Sequence, residues 1–419
     1  MIIQQELLKI FRLPIVGILL LFFIIINSLF IWSNSYIKGE LSLLTSLVDK
    51  YGTETNEEML SQFGDDYEQI SDWVSKVEGP NGKTGYKHPS ELLEDDEIFL
   101  NPPMSEKDFD QLLEYNLIET YYRTAQDIDV IYENLDIENR AETIINLYGF
   151  KGEAAETIRA QFEQLEDRKV QLIENQEHKH LFFYGKIYEM HNLLFKDIGL
   201  ILIFELIILV VLITGAVTNY EFEQKTALVT YTTKIGRKLV LHKFISAGIA
   251  NTAAIFSLTG ATLGIYFLVF TYDGLWNVPV SSYFNAITEF PYITWWNISF
   301  IEYVGLMVLL IYLVMLLFSG MTYILSIWLK NTYLVFFSFM VFLSLGIVLP
   351  GYVPLSTNWT YYVHQTPFFL ILNPQEWFMG YSAFTISPYY EPITISSWAI
   401  FIFGLIYLSI RHFYRQALH

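Results

Sequence analysis

A carboxylate, Glu205, stands well inside the apolar run DIGLILIFELIILVVLITG at residues 197–215. An ionisable group at that depth is costly unless it faces a cavity or a partner. Glu205 is therefore a candidate for lining a polar path or a subunit interface, with snorkelling or helix packing as the alternative. Asn27 and Asn251 also fall in apolar runs, where their ordinary use is hydrogen bonding between helices. His178, His180 and His191, in EHKHLFFYGKIYEMH, raise the question of metal ligation. Two residues apart on a helix point in different directions, and no carboxylate at ligand spacing completes a set, so no metal is expected. The chain has no cysteine, which removes disulfides, thiolate catalysis and Cys-based zinc or iron–sulfur centres. A membrane-embedded protease or acyltransferase would need converging nucleophile, acid–base or metal groups, and the apolar runs offer chiefly Glu205, so enzyme activity is not expected. A short loop between two long apolar runs, TNYEFEQKTALVTYTTKIGRKLVLHKFI, residues 218–245, gathers Glu221, Glu223, Lys225, Lys234, Arg237, Lys238 and Lys243.

The elements that must position these groups are membrane helices. The 419 residues are 53% apolar and 17% aromatic, which departs from an ordinary soluble domain toward a polytopic membrane protein. Six stretches reach the roughly 20 residues that a helix needs to cross a bilayer core. They run 14–33, 197–217, 240–271, 300–329, 333–350 and 395–411. The first follows Lys9 and Arg12 as a signal peptide would, but no small-x-small cleavage site follows it, and a retained helix is expected.

The basic residues orient the spans. Outside residues 34–197 the ten are Lys9, Arg12, Lys225, Lys234, Arg237, Lys238, Lys243, Lys330, Arg411 and Arg415. With both termini cytoplasmic, all ten fall on the cytoplasmic side. The opposite loops, 273–299 and 351–394, have no Lys or Arg and hold Asp273, Glu289, Glu376 and Glu391. Trp295 and Trp296, just before the fourth span, are expected to anchor that outer interface. Gly260, Ala261 and Gly264, in the third span, are expected to allow close helix packing.

The expected domains are 1–33, an N-terminal helix and the first span; 34–196, an acidic and mainly α-helical extracytoplasmic insert; and 197–419, spans two to six. Residues 34–197 hold 35 acidic and 15 basic residues, net −20, which leaves +1 elsewhere and recovers the chain's −19. Ala155, Ile158, Phe162, Leu165 and Leu172 recur at helical spacing, and Ser105 with Asp108 caps a helix after NPPMS. Pro and Gly in VEGPNGKTGYKHPSELLEDDE mark a loop between the two parts of the insert. Its acidity suits a solvated surface, an attractor of a cationic substrate or a partner-docking surface.

Within 218–243, Phe222, Thr226, Val229 and Thr233 form a narrow stripe at helical period, and Glu221 with Lys225 makes an i, i+4 pair on another face. Both an interfacial helix and a partner-facing helix fit this pattern.

The order of elements here resembles that of ABC-2 type ABC-transporter permeases. An apolar span is followed by E-x-E-x-x-T (Glu221, Glu223, Thr226), then by IGRKLVLHKF with Gly236, Arg237, Lys238 and Lys243, then by another long span. MIIQQELLKIFRLP is similar to the family's elbow helix, with Ile3, Leu7, Ile10 and Phe11 on one side and Pro14 opening the first span. TPFFLILNPQEWFMGYSAF, 366–384, looks like its outer re-entrant hairpin, within the outer segment 351–394. The resemblance covers the membrane part, about 250 residues. Where the family usually has glycine before the loop threonine, this chain has Lys225.

The resemblance implies an all-α polytopic permease subunit in the cytoplasmic membrane of a bacterium, exporting an amphiphilic or cationic substrate such as a peptide, drug or lipid. Glu221, Phe222, Glu223, Lys225, Thr226, Val229 and Arg237 would form the coupling helix that meets a cytoplasmic ATPase. Glu205 and Asn251 would be candidates for the translocation path, and Asn373, Pro374, Glu376 and Trp377 would shape the outer hairpin. No G-x-x-x-x-G-K-[ST] occurs, so ATP and magnesium are expected in the partner ATPase and no cofactor on this chain. A second permease subunit, identical or related, and the lipid bilayer complete the expected partners; nucleic acid is not among them. A sensor or mechanotransmission subunit that acts through the ectodomain without substrate flux is the alternative.

Overall fold

The computed structural model describes residues 2–11, 14–94, 97–100, 102–183, 189–233, 236–286, 290–385 and 387–415. Arg12, Lys234 and Glu289, which enter the charge reading, lie outside the described residues. The described chain is all-helical, with only isolated β-bridges and no strand. Its helices are α1 (Ile2–Phe11), α2 (Pro14–Ser33), α3 (Lys38–Tyr51), α4 (Glu57–Lys76), α5 (Pro89–Leu93), α6 (Glu97–Leu100), α7 (Glu106–Glu133), α8 (Ile137–Tyr148) and α9 (Gly152–Glu174). They continue as α10 (Glu189–His191), α11 (Gly199–Glu223), α12 (Ala227–Tyr231), α13 (Leu239–Val269), α14 (Phe300–Leu329), α15 (Thr332–Val348), α16 (Trp359–His364), α17 (Pro367–Leu370) and α18 (Tyr390–Arg415).

Six of these helical stretches are long and apolar enough to cross a membrane; five contain the expected spans whole, and the third ends at Val269, two residues short of the expected 240–271. The second begins earlier than the apolar run, at Glu189, because α10 and a π-helical turn at Asn192–Ile198 lead into α11 without a break. α11 is the central helix. Two-thirds of its apolar window is buried, against 17% for α2 and α15. It packs against α13, α14 and α15, with α2 on α13 and α18 on α14.

Burial inside this bundle is selective. On α13 the inward face carries Ala247, Ala250, Asn251, Ala254, Leu258 and Thr262. Gly260 and Gly264 point outward, with no atom within 4 Å of where a Cβ would stand. The small residues expected to bring helices together therefore make no close contact within this chain. The inward face instead combines the alanines Ala247, Ala250 and Ala254 with the hydrogen-bonding Asn251 and Thr262.

One side of the bundle holds both described ends of the chain. The Lys9 ammonium of α1 reaches Glu221 at the end of α11, and Arg237 donates to the Tyr414 carbonyl of α18. The opposite side carries the described residues of 34–183 with those of 270–286, 290–299, 349–385 and 387–389, which share apolar clusters with one another.

The acidic segment folds by ordinary amphipathic logic. α4 starts at Asn56, whose side chain accepts the Met59 N–H at 2.8 Å, and buries Met59, Phe63, Tyr67, Ile70 and Val74 along one stripe. Each such side chain contributes about 1.5–3 kcal/mol when fully buried. Ser105 caps α7 by accepting the Asp108 N–H at 3.2 Å, as the sequence predicts. In α9 Ala155, Ile158, Phe162, Leu165 and Leu172 are all buried, again as predicted.

This segment shares its core with the bundle. Phe63 of α4 and Tyr121, Ala125 and Ile128 of α7 belong to one apolar cluster with Leu202, Leu206 and Met307. A second cluster joins α8 and α9 to Phe290, Ile293, Trp295 and Ala383. Trp295 is buried in the cluster with α8 and α9 instead of being free to anchor an interface, and its backbone N–H is held by the Phe378 carbonyl at 3.0 Å. Trp296 keeps 38% exposure. Gly380 lies so close to α9 that a Cβ would meet Leu165 at 2.4 Å, which explains glycine there.

Candidate functional site

The loop after α11 is built by a tight helix stop. Lys225 adopts φ +56°, its N–H bonds to the Phe222 carbonyl at 3.2 Å, and the Thr226 N–H bonds to the Glu221 carbonyl at 2.8 Å. This is the paired 5→2 and 6→1 closure of a helix that ends on a left-handed residue, the position glycine normally takes. Lys225 therefore occupies a glycine conformation with a lysine side chain.

The stop breaks the predicted stripe. Phe222 ends on α11, half-buried and stacked on Tyr231 with ring centroids 5.5 Å apart. Thr226 starts α12 without a side-chain cap. Val229 is 76% exposed and Leu228 53%, so the five-residue α12 presents an apolar tip to solvent while Tyr231 points inward. The Glu221–Lys225 pair does not form, since the left-handed turn takes Lys225 off the i, i+4 line.

Glu221 turns inward instead. Lys9 binds Glu6 at 2.5 Å and Glu221 at 2.8 Å, and the Lys243 ammonium pairs directly with Glu221 and lies 3.7 Å from Glu6. Lys243 also donates to the Val217 carbonyl at 2.5 Å. Glu6 and Glu221 are each 3% exposed and Lys243 is fully buried. Two carboxylates and two ammoniums thus cancel at the junction of α1, α11 and α13. Burial pulls the Lys9 ammonium down, but its hydrogen bonds to Glu221 and Glu6 outweigh this and hold it above its usual range. Because a buried charge is tolerated only when paired, this cluster fixes the direction in which the loop leaves the bundle.

The other loop residues tie neighbouring elements. The Glu223 carboxylate accepts the Thr332 N–H at 2.7 Å, occupying the N-terminus of α15. Arg237 is exposed and reaches α18 through the Tyr414 carbonyl. Gln224, Lys225, Thr226, Leu228 and Val229 are exposed at this turn, while Tyr231 is buried.

Glu205 and Asn251 sit in two separate polar nodes. Asn27 of α2 donates to Glu205 at 2.8 Å and to Thr262 of α13 at 2.9 Å. Asn251 of α13 donates to Thr214 of α11 and Ser319 of α14, both at 2.8 Å. Each node joins three helices, and Asn251 is fully buried. In this conformation both are interhelical ties.

Asn373, Pro374, Glu376 and Trp377 lie in an irregular stretch between α17 and α18. Trp377 is buried and donates its indole N–H to the Leu370 carbonyl at 2.9 Å. Phe378, at φ +63°, donates its N–H to Glu391 at 2.7 Å. Burial raises the Glu376 carboxyl against the lowering effect of its hydrogen bonds to Gln375 and Ser382. Tyr303 of α14 donates to the Gln375 carbonyl at 3.1 Å, so the stretch is docked on the bundle. From the acidic segment Arg168 donates to the Thr294 carbonyl at 2.9 Å while a two-pronged pair holds it to Glu177 at 3.0 and 2.6 Å. His178, one of the three histidines weighed for metal, instead meets Asp129 at 3.0 Å.

Sequence reasoning missed Glu6 as a partner of this site and treated Lys243 only as a loop-end charge. The available signals were a carboxylate and an ammonium three apart in an apolar N-terminal helix, and a lysine a full turn inside a span. Compared with protein-family models, curated proteins and solved structures, the chain matches none.

Proposed function

We infer that this chain is the membrane subunit of an ABC transporter, working with a separate cytoplasmic ATPase that faces α12, and that it exports an amphiphilic or cationic substrate. The carrying observation is a short helix with an exposed Leu228–Val229 tip on a base held by three buried charges, Glu6, Glu221 and Lys243, and the half-buried Lys9. A rigid base with an apolar contact is what transmits the closure of a partner into a bundle. On this reading the side holding α1 and α12 is cytoplasmic in a bacterial membrane, α1 is the elbow helix, and 351–394 forms the outer hairpin with residues 34–196 outside the cell. A second permease subunit completes the pathway.

The test is co-purification with an ATPase followed by hydrolysis and transport in proteoliposomes. Val229→Asp is expected to uncouple hydrolysis from transport with the protein still folded and inserted. Unchanged coupling would sink the assignment. A sensor role is the second reading, favoured by the core that α4 and α7 share with α11. ATP turnover that moves the ectodomain with no flux of any candidate would select it.

A further inference from the structure

α3 follows α2 after one turn at Ser35–Ile37, and a cavity of about 730 Å³ lies between α3 and α7. Leu43, Leu113 and Leu117, all half-buried, give it apolar walls, and Glu40, Asp110 and Glu114 give it charge. No lysine or arginine lines it. Asp110 and Glu114 are exposed and have no ion-pair or hydrogen-bond partner among the described residues. Four apart on α7, they share a face and repel each other, so a cation between them relieves that repulsion as well as gaining its own attraction.

The groove also has a defined level. α2 has 20 residues, about 30 Å of helix, which matches the bilayer core. Its end at Ser33 therefore lies at a membrane boundary, where Trp32 and Tyr36 are 71% and 74% exposed in the manner of an aromatic belt. Tyr36 and Gly39 line the groove, so it opens at the membrane–water interface. The comparable groove beside α8 and α9 has Arg159 and Lys169 in its walls, paired with Glu142 and Glu166, and its charge is partly compensated.

We propose that the groove between α3 and α7 binds a cationic amphiphile, an apolar body with an ammonium-type charge, drawn from the adjoining membrane leaflet. The leucines take the apolar body and the carboxylates take the charge. The assignment names the ligand class that the permease reading leaves open, and rests on that reading only in calling the ligand a substrate.

The full chain in lipid nanodiscs is titrated with tetraphenylphosphonium and, separately, with tetraphenylborate, which has the same four-phenyl shape and the opposite charge. Binding to empty nanodiscs is subtracted. Saturable binding of the phosphonium alone is expected. The Asp110→Asn/Glu114→Gln double variant is expected to weaken it about tenfold, the scale of two lost near-surface attractions. Gly39→Trp fills the groove, since nothing lies within 4 Å of a Cβ there, and is expected to abolish binding that Gly39→Ala retains. Equal binding of the two ions, or phosphonium binding unchanged in the double variant and in Gly39→Trp, would overturn the site. No ATPase is present, so that outcome leaves the permease reading standing, whereas intact binding without ATP-coupled transport removes that reading and keeps the site.

Discussion

Lys243, in the second turn of α13, and Glu221, in the last turn of α11, form a direct ion pair with side chains 0% and 4% exposed. A pair removed from water this fully is a liability once either partner is lost. Lys243→Met leaves two carboxylates facing Lys9 alone and is expected to destabilise the protein by about 3–5 kcal/mol. Adding Glu221→Leu should recover much of that loss, with non-additivity of about 1–3 kcal/mol between the two changes. Thermal unfolding of the four proteins of this cycle in one detergent gives the coupling, and strictly additive losses would refute it.

Lys225 predicts the opposite sign. Its left-handed backbone is strained for any residue with a Cβ, and its side chain is exposed. Lys225→Gly is expected to stabilise the loop by about 1 kcal/mol, and Lys225→Val to destabilise it. Hydrogen exchange at the Lys225 and Thr226 amides reads the local effect. Faster exchange in the glycine variant would contradict the account of the helix stop.

The acidic segment should lose stability in acid. Burial lowers the His178 imidazole below its usual 6.5, and its bond to Asp129 offsets this only in part; His180 is lowered by burial in the same way. A group whose folded pKa is depressed binds protons better when unfolded, so its contribution is present above pH 6.5 and is lost as pH falls below it. Asp129 is held low by Lys179 and His178 against the effect of burial, and it adds a further loss nearer pH 4. Melting temperatures between pH 7.5 and 5.5 should fall, and His178→Gln should flatten the slope. A slope equal in both proteins would remove His178 from the account.

Much of the fold was legible in the sequence wherever one local property decides. Transfer of some 20 consecutive apolar residues into hydrocarbon is additive along the chain, so the six spans could be read without knowing their neighbours. The cap at Ser105 and the buried stripe of α9 follow from hydrogen bonds and periodicity within one helix. Legibility failed at Trp295, which looked interfacial but packs under α8 and α9, and at Gly260 and Gly264, which looked buried but face outward. In a helix apolar on every side, periodicity does not say which face turns in.

The candidate loop divides in the same way. Its charge, its place between two spans and the absence of a phosphate-binding loop were determined by sequence. That Glu221 pairs with Lys9 and Lys243 instead of Lys225, that Lys225 bends the stripe in two, and that Leu228 and Val229 form the exposed tip were decided by tertiary structure. Lys9 and Glu221 are 212 residues apart, and their meeting depends on the rotation and register of three packed helices. A buried charge is tolerated only where the assembled bundle brings it a partner, which no single stretch of sequence contains.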